Sequence, residues 1–237
     1  MIVRDLVNTD ILKLIKKKTV ALIPVGSIEQ HGPHLPVSTD SEIVSHIAKQ
    51  VSDKNGFLLL PTIQYGVSFE HHPFFNMSVS TATLQQILVE LCMSLSKNHI
   101  NTVIILNGHH GNQNALKKLQ SIISKKTGSK QDIFVYSYWH FMKRQFDHAG
   151  FVETSIMLAI SDKVLMNKAK KGLISDNLSR KRLNLLSKRA DKSFISVTKN
   201  GVWGDPTKAT AKDGRIILGE IIGNIVKKSQ TCLTGIG

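Results

Sequence analysis

Val20-Ala21-Leu22-Ile23-Pro24-Val25, running into Gly26-Ser27, is a short apolar run that stops at a turn. A run of that length, bounded by turn residues, reads as a buried strand. The segment downstream, Ser41 to Val51, has helical periodicity, with Thr39 or Asp40 as its candidate cap. Working outward, Phe57-Leu58-Leu59-Leu60-Pro61 reads as a second strand and Thr81 to Asn98 as a long amphipathic helix. Thr102 to Leu106 gives a third strand closed by Asn107-Gly108, Asn114 to Lys126 a third helix, and Ile133 to Tyr136 a fourth strand. Strands alternating with helices at this spacing predict an α/β fold: layered α/β/α, with a mostly parallel central sheet flanked by helices. Residues 1–237 are expected to form a single domain. In such sheets, sites lie beyond the carboxyl ends of strands. Three polar clusters, at 29–40, 107–114 and 140–155, follow strands in that way.

Composition narrows the partners. The 237 residues are 41% hydrophobic and carry a net charge of +14. No apolar stretch reaches the roughly 18 residues that a bilayer requires, so no membrane association is expected. Met1-Ile2-Val3-Arg4-Asp5-Leu6 has no basic region leading into an apolar core, which leaves cytoplasmic residence as the expectation. Cys92 and Cys232 are far apart and belong to no CxxC pair. Between Asp162 and Lys192, ten Lys or Arg face three Asp. An excess of that kind fits an anionic partner or simply a solvated helical face around Leu178 to Arg189. No aromatic residue interleaves with the run before Phe194, so no stacking platform for nucleic acid is expected.

The chemistry sits in the clusters. In Gly26-Ser27-Ile28-Glu29-Gln30-His31-Gly32-Pro33-His34-Leu35-Pro36-Val37-Ser38-Thr39-Asp40, Glu29 and His31 are two apart. On an extended segment that spacing puts both side chains on one face. Asp40, at a helix start, turns a carboxylate back toward them, and a carboxylate has two oxygens with which to bridge two ions. Imidazole with carboxylate favours zinc, manganese or iron over calcium. In Asn107-Gly108-His109-His110-Gly111-Asn112-Gln113-Asn114, His109 is a further metal ligand, and Asn112 or Asn114 a helix cap. In Asp147-His148-Ala149-Gly150-Phe151-Val152-Glu153, His148 is a candidate general acid or base and Glu153 a carboxylate at or behind the metals. Ser68-Phe69-Glu70-His71-His72-Pro73 either lines a pocket or is an ordinary loop. Gly201 to Thr210 either closes over the site or only starts the last helix. Taken singly, each of these residues is also an ordinary surface acid, loop histidine or helix start.

Together the clusters resemble the creatininase family of amidohydrolases. The matching strings are Gly26 to Asp40, Asn107 to Asn112, His148-Ala149-Gly150 with Glu153-Thr154-Ser155, and Gly204-Asp205-Pro206, in the family's order. The resemblance implies two divalent metals per subunit, zinc, iron or manganese, held by Glu29, His31, Asp40 and His109 with Asp40 bridging. It implies a metal-activated water as nucleophile, proton transfer by His148, and a homo-oligomer, hexamer or dimer. Two departures matter. Creatininase has a glutamate where this chain has Gly111, which makes Glu153 the candidate fifth ligand. It has a tryptophan where this chain has Arg144, which argues against a small neutral ring such as creatinine as substrate. The Gly111 pattern is nearer to two other branches. One is the archaeal deformylase that removes formate from 2-amino-5-formylamino-6-ribosylaminopyrimidinone monophosphate in flavin and deazaflavin biosynthesis. The other is the peptidase branch that trims a redox-cofactor precursor peptide. The positive charge favours a phosphorylated small-molecule substrate and hence the deformylase, with His110, Arg144 and Asn112 as substrate contacts. A basic nucleic-acid-binding protein on a degenerate scaffold is the alternative from another class.

Overall fold

The computed structural model describes residues 1–128 and 131–234. Four strands, β1 (Val20–Val25), β2 (Leu58–Leu59), β3 (Thr102–Asn107) and β4 (Asp132–Ser137), form one sheet in the order β2-β1-β3-β4, with every neighbouring pair parallel. α1 (Asn8–Lys16) precedes them, and the helices between them are α2 (Thr39–Asn55), α3 (Thr81–Lys97), α4 (Gln113–Leu116) and α5 (Leu119–Thr127). After β4 come α6 (Phe151–Ile160), α7 (Arg180–Ala190) and α8 (Ala211–Thr234).

β1 and β3 are buried along their whole length because the sheet has a core on each face. Successive side chains alternate between the two, as strand geometry requires. Val20, Leu22, Ile104 and Leu106 pack with Ile43 and Ile47 of α2, Ile156 of α6 and Ile221 of α8. Ala21, Ile23, Val103 and Ile105 pack with Leu84 and Leu88 of α3 and Ile123 of α5. This is the expected layered α/β/α arrangement, and the sheet is parallel throughout. Among the described residues no helix is long and apolar enough to cross a membrane. Cys92 is buried against the second core, and the side chain of Cys232 lies outside the described residues.

Several local expectations change. The predicted strand 57–61 shrinks to two residues, since Pro61 has no amide with which to extend the ladder. Neither Thr39 nor Asp40 caps α2: Ser38 holds that position, and Asp40 stands inside the first turn. α2 runs four residues past Val51, to Asn55, and stops at Gly56 in the left-handed region (φ 70°). The predicted helix 114–126 is broken at Lys117–Lys118 into α4 and α5, and no side chain of Asn112 or Asn114 caps it. The basic helix is α7, capped by Ser179, whose hydroxyl accepts from Arg182 N at 3.4 Å.

The chain leaves β1 toward β2 on one side and returns to β3 on the other. That reversal opens a crevice beyond the carboxyl ends of β1 and β3, and the Glu29 and His109 loops meet there.

Candidate metal and catalytic site

Residues 28–31 are extended because they pair with 75–77: Gln30 N donates to Phe75 O (2.8 Å) and Met77 N to Ile28 O (2.8 Å). The pairing puts Glu29 and His31 on one buried face, both 0% exposed. Asp40, in the first turn of α2, reaches them from the side. Its Oδ1 lies 3.2 Å from His31 Nε2 and its Oδ2 3.0 Å from His109 Nδ1. One carboxylate thus faces two imidazoles, one per oxygen.

The far nitrogen of each ring is fixed by a carbonyl. His31 Nδ1 donates to Glu29 O (3.1 Å) and His109 Nε2 to Val67 O (2.9 Å). A carbonyl only accepts, so those nitrogens carry hydrogen, and Nε2 of His31 and Nδ1 of His109 are left to face the carboxylates. Such carbonyl partners orient metal-binding histidines. Burial opposes charge on both rings, but the surrounding carboxylates outweigh it and hold both pKa values up at about 10. Burial likewise opposes charge on Asp40, and His31 and His109 outweigh it, keeping the carboxyl well below its usual range.

The donor set fits divalent cations on an observation independent of the motif. Glu29 Oε1 and Asp40 Oδ2 are buried oxygens with no well-aligned hydrogen bond, their nearest donors being His71 Nε2 and His109 Nδ1, each 3.0 Å away. Buried carboxylate oxygens left in that state are costly unless a cation satisfies them. Three donor groups have ligand atoms mutually within 4.8 Å: Glu29, His31 and Asp40; Glu29, His71 and His148; and His31, His148 and Glu153.

A residue inside the motif organises the histidines. Gly32 N donates to Gln30 Oε1 (2.9 Å), which turns the amide nitrogen to His71 Nδ1 (2.9 Å) and His148 Nε2 (3.0 Å). An amide N–H donates, so His71 Nδ1 accepts, whereas His148 Nε2 lies between that N–H and the Gln30 carbonyl oxygen (3.2 Å). His71 Nε2 and His148 Nδ1 lie 3.0 and 4.0 Å from Glu29 Oε1. Burial, with the charge of His31 nearby, pushes the pKa of His148 well down, so the ring is neutral. The loop Gly201 to Thr210 supports it: His148 and Trp203 exchange backbone bonds (3.0 and 2.8 Å), and at Gly201 a Cβ would sit 1.8 Å from Gln30 Oε1.

Glu153 in α6 sits 3.6 Å from His31 Nε2, with Tyr138 OH (3.3 Å) and Ala149 N (2.7 Å) donating to its carboxylate. Burial dominates its pKa, which rises to about 8. Asp147 accepts from the amides of Val152 (2.9 Å) and Glu153 (3.4 Å); burial outweighs those donors and lifts it to about 7. His34 bonds Thr154 (2.8 Å) and ties the first loop to α6.

Above this floor is a cavity of about 200 Å³. Phe146, Leu183, Phe194 and Trp203 form apolar walls, and α7 with Phe194 makes the roof. Phe194 lies 4.6 Å from the His71 ring and 4.7 Å from His148. Glu29, Asp40, His109, His148 and Glu153 line it, with His110 at the mouth, half-exposed and 3.9 Å from Asp191. His31 lies fully buried behind the floor. Two sequence-predicted substrate contacts fall elsewhere. Asn112 is fully buried and its amide ties three loops, accepting from Val67 N (2.9 Å) and donating to Gly26 O (3.1 Å) and Asn107 Oδ1 (3.2 Å). Arg144 lines an adjoining cavity of about 400 Å³, its guanidinium 4.9 Å above Phe151. Sequence reasoning missed Gln30 altogether and left His71 and Glu70 unassigned. Their one signal was nearness to motif histidines.

A family model for creatininase, creatinine amidohydrolase, matches residues 4–228. The mycofactocin precursor peptide peptidase of Mycolicibacterium smegmatis is 34% identical over 211 residues, 86% of this chain and 81% of that one. The 2-amino-5-formylamino-6-ribosylaminopyrimidin-4(3H)-one 5'-monophosphate deformylase of Methanothermus fervidus is 31% identical over 221 residues, 89% and 85% of the two chains. A crystal structure of creatinine amidohydrolase superposes with a TM-score of 0.82 at 20% identity, covering 97% of this chain and 96% of that one.

Proposed function

We propose, from the premise that the chain belongs to the creatininase family and is a metal-dependent amidohydrolase, that it cleaves an amide bearing an apolar group. The observation that carries the two-ion reading is the placement of Asp40, whose two oxygens face His31 and His109 separately. Glu29, Asp40 and His109 would hold one ion, and His31, Asp40 and Glu153 the other. Bound divalent cations supply polarisation of the amide carbonyl and activation of water. The chain's own groups do the rest. Gln30 fixes the orientation of the His148 ring through Nε2, and Nδ1, turned to the floor, would take a proton from the attacking water and pass it to the departing nitrogen. The α7 roof and Phe194 limit entry of water over His71 and His148.

The walls bear on the substrate. The sequence favoured a phosphorylated one, but among the described lining residues of the cavity there is no Lys or Arg. Phe146, Leu183, Phe194 and Trp203 suit the side chain of a peptide end, and the relative from Mycolicibacterium smegmatis is a precursor peptide peptidase. A second reading, deformylation of a ribosylaminopyrimidine phosphate, draws on one observation: Arg144 and Lys208 line the adjoining cavity, which shares Gln145, Phe146, Asp147 and Trp203 with the first. The test is metal analysis on untagged protein, followed by assays with peptides ending in apolar residues and with the formamidopyrimidine nucleotide, before and after chelation. Metal-dependent peptide cleavage is the expected result. Formate release in its place selects the second reading. Protein that takes up no metal overturns both.

A further inference from the structure

We propose that Tyr138 is a positioning residue of this site: its hydroxyl, together with the amide of Ala149, holds the Glu153 carboxylate in one rotation, with Oε2 turned to His31. The inference rests on the two-ion reading above, in which Glu153 and His31 share an ion. Tyr138 opens the short turn Tyr138–Phe141 that follows β4, and it is fully buried. Its ring meets Trp139 (5.3 Å) and Phe146 (6.0 Å) edge-on within the core. A phenylalanine would fill that space as well. A hydroxyl withdrawn from water is costly unless it is bonded. Among the described residues this one makes a single hydrogen bond, to Glu153 Oε1 at 3.3 Å.

The other oxygen is held from the backbone. Ala149 N donates to Glu153 Oε2 at 2.7 Å, with Ala149 at φ 51°. That is the left-handed region, which a residue with a Cβ enters at a cost. The start of α6 does not account for the arrangement. Asp147 already accepts from the Val152 and Glu153 amides there, so Glu153 is not needed as a cap. What the two donors fix is the carboxylate itself. The terminal torsion of a glutamate is broad and roughly two-fold. A single donor would leave the group free to swing, whereas one donor on each oxygen selects one plane. In that plane Oε2 lies 3.6 Å from His31 Nε2, and His31, His148 and Glu153 keep their ligand atoms within 4.8 Å of one another.

The experiment compares wild-type protein with Tyr138→Phe, which keeps the ring and removes the hydroxyl. Both are loaded with Co²⁺ and dialysed, and their metal is counted by elemental analysis. The visible spectrum is recorded, and melting is followed after chelation. Tyr138→Phe should hold the more weakly bound ion about tenfold less tightly and show a shifted Co²⁺ spectrum. A hydroxyl that serves only the fold would change the melting of the chelated protein and nothing else. Wild-type metal content with an unchanged spectrum in the variant therefore overturns the role of Tyr138, whatever its melting, and leaves the two-ion reading standing. Wild-type protein that takes up fewer than two equivalents sinks the two-ion reading, and the role of Tyr138 with it. Should Tyr138→Phe not fold, Tyr138→Met, whose flexible side chain fills irregular space, is judged by the same Co²⁺ spectrum.

Discussion

The floor and the roof of the cavity are built on opposite terms. The floor is made by the loops after β1 and β3, where Glu29, His31, Asp40 and His109 are at most 4% exposed and both imidazoles are aimed by a backbone carbonyl. The roof is α7, of which Ala190 is the one buried residue, with Phe194 behind it. The roof offers the substrate Leu183, Ser187 and Ala190 and shows water its Lys and Arg. The lesson is a division of labour: groups that must keep a fixed geometry are anchored to the sheet, and groups that choose the substrate ride on the element most easily altered.

That comparison can be broken. Asp40→Ala should cut turnover by more than about a thousandfold, since metal polarisation is worth several kcal/mol and about 1.4 kcal/mol is tenfold. Metal content by elemental analysis should fall with it, and a fully active variant would end the account of the floor. Gln30→Leu should cost about ten- to a hundredfold in kcat through loss of the His148 orientation, with metal content kept and the pH profile displaced. Steady-state kinetics across pH checks this. Leu183→Ala in the roof should raise KM for apolar substrates about tenfold, one lost hydrophobic contact, while kcat for small ones holds. If it removes metal, floor and roof are not separable.

The smallest effect sharpens the boundary. Asp147 has a folded pKa of about 7, above its unfolded value, so the folded state binds the proton more tightly. Its contribution to stability is therefore present at low pH and is lost as pH rises from about 4 to about 7. Chemical denaturation of metal-free protein at a series of pH values should show a shallower decline in Asp147→Asn than in wild type.

The floor was largely legible in the sequence, because two of its devices are periodic. An apolar run bounded by Gly26 predicts where a strand ends, and the spacing of Glu29 and His31 predicts a shared face. The rest was not, for physical reasons. Gln30 lies between two ligands, and only the amide of Gly32 and the rings of His71 and His148 reveal its work. Glu70 and His71 follow a strand of two residues, too short to leave a pattern. Asn112 looked available to substrate, yet it is fully buried and its amide is committed to three loops. The net charge of +14 pointed to an anionic ligand, but the cations decorate the outer surface and not the cavity wall.

Gly201 and Gln30 are separated by most of the chain, yet an added methyl on one would overlap the amide of the other. Their inheritance is therefore tied. A descendant that gains a side chain at the first position must already have shed bulk at the second, or pass through an ancestor whose two histidines have lost their bearings. Drift at this pair is expected to be slow, ordered and joint, and recombination between distant homologues at a crossover anywhere between the two positions should produce inactive hybrids whenever the parents differ there.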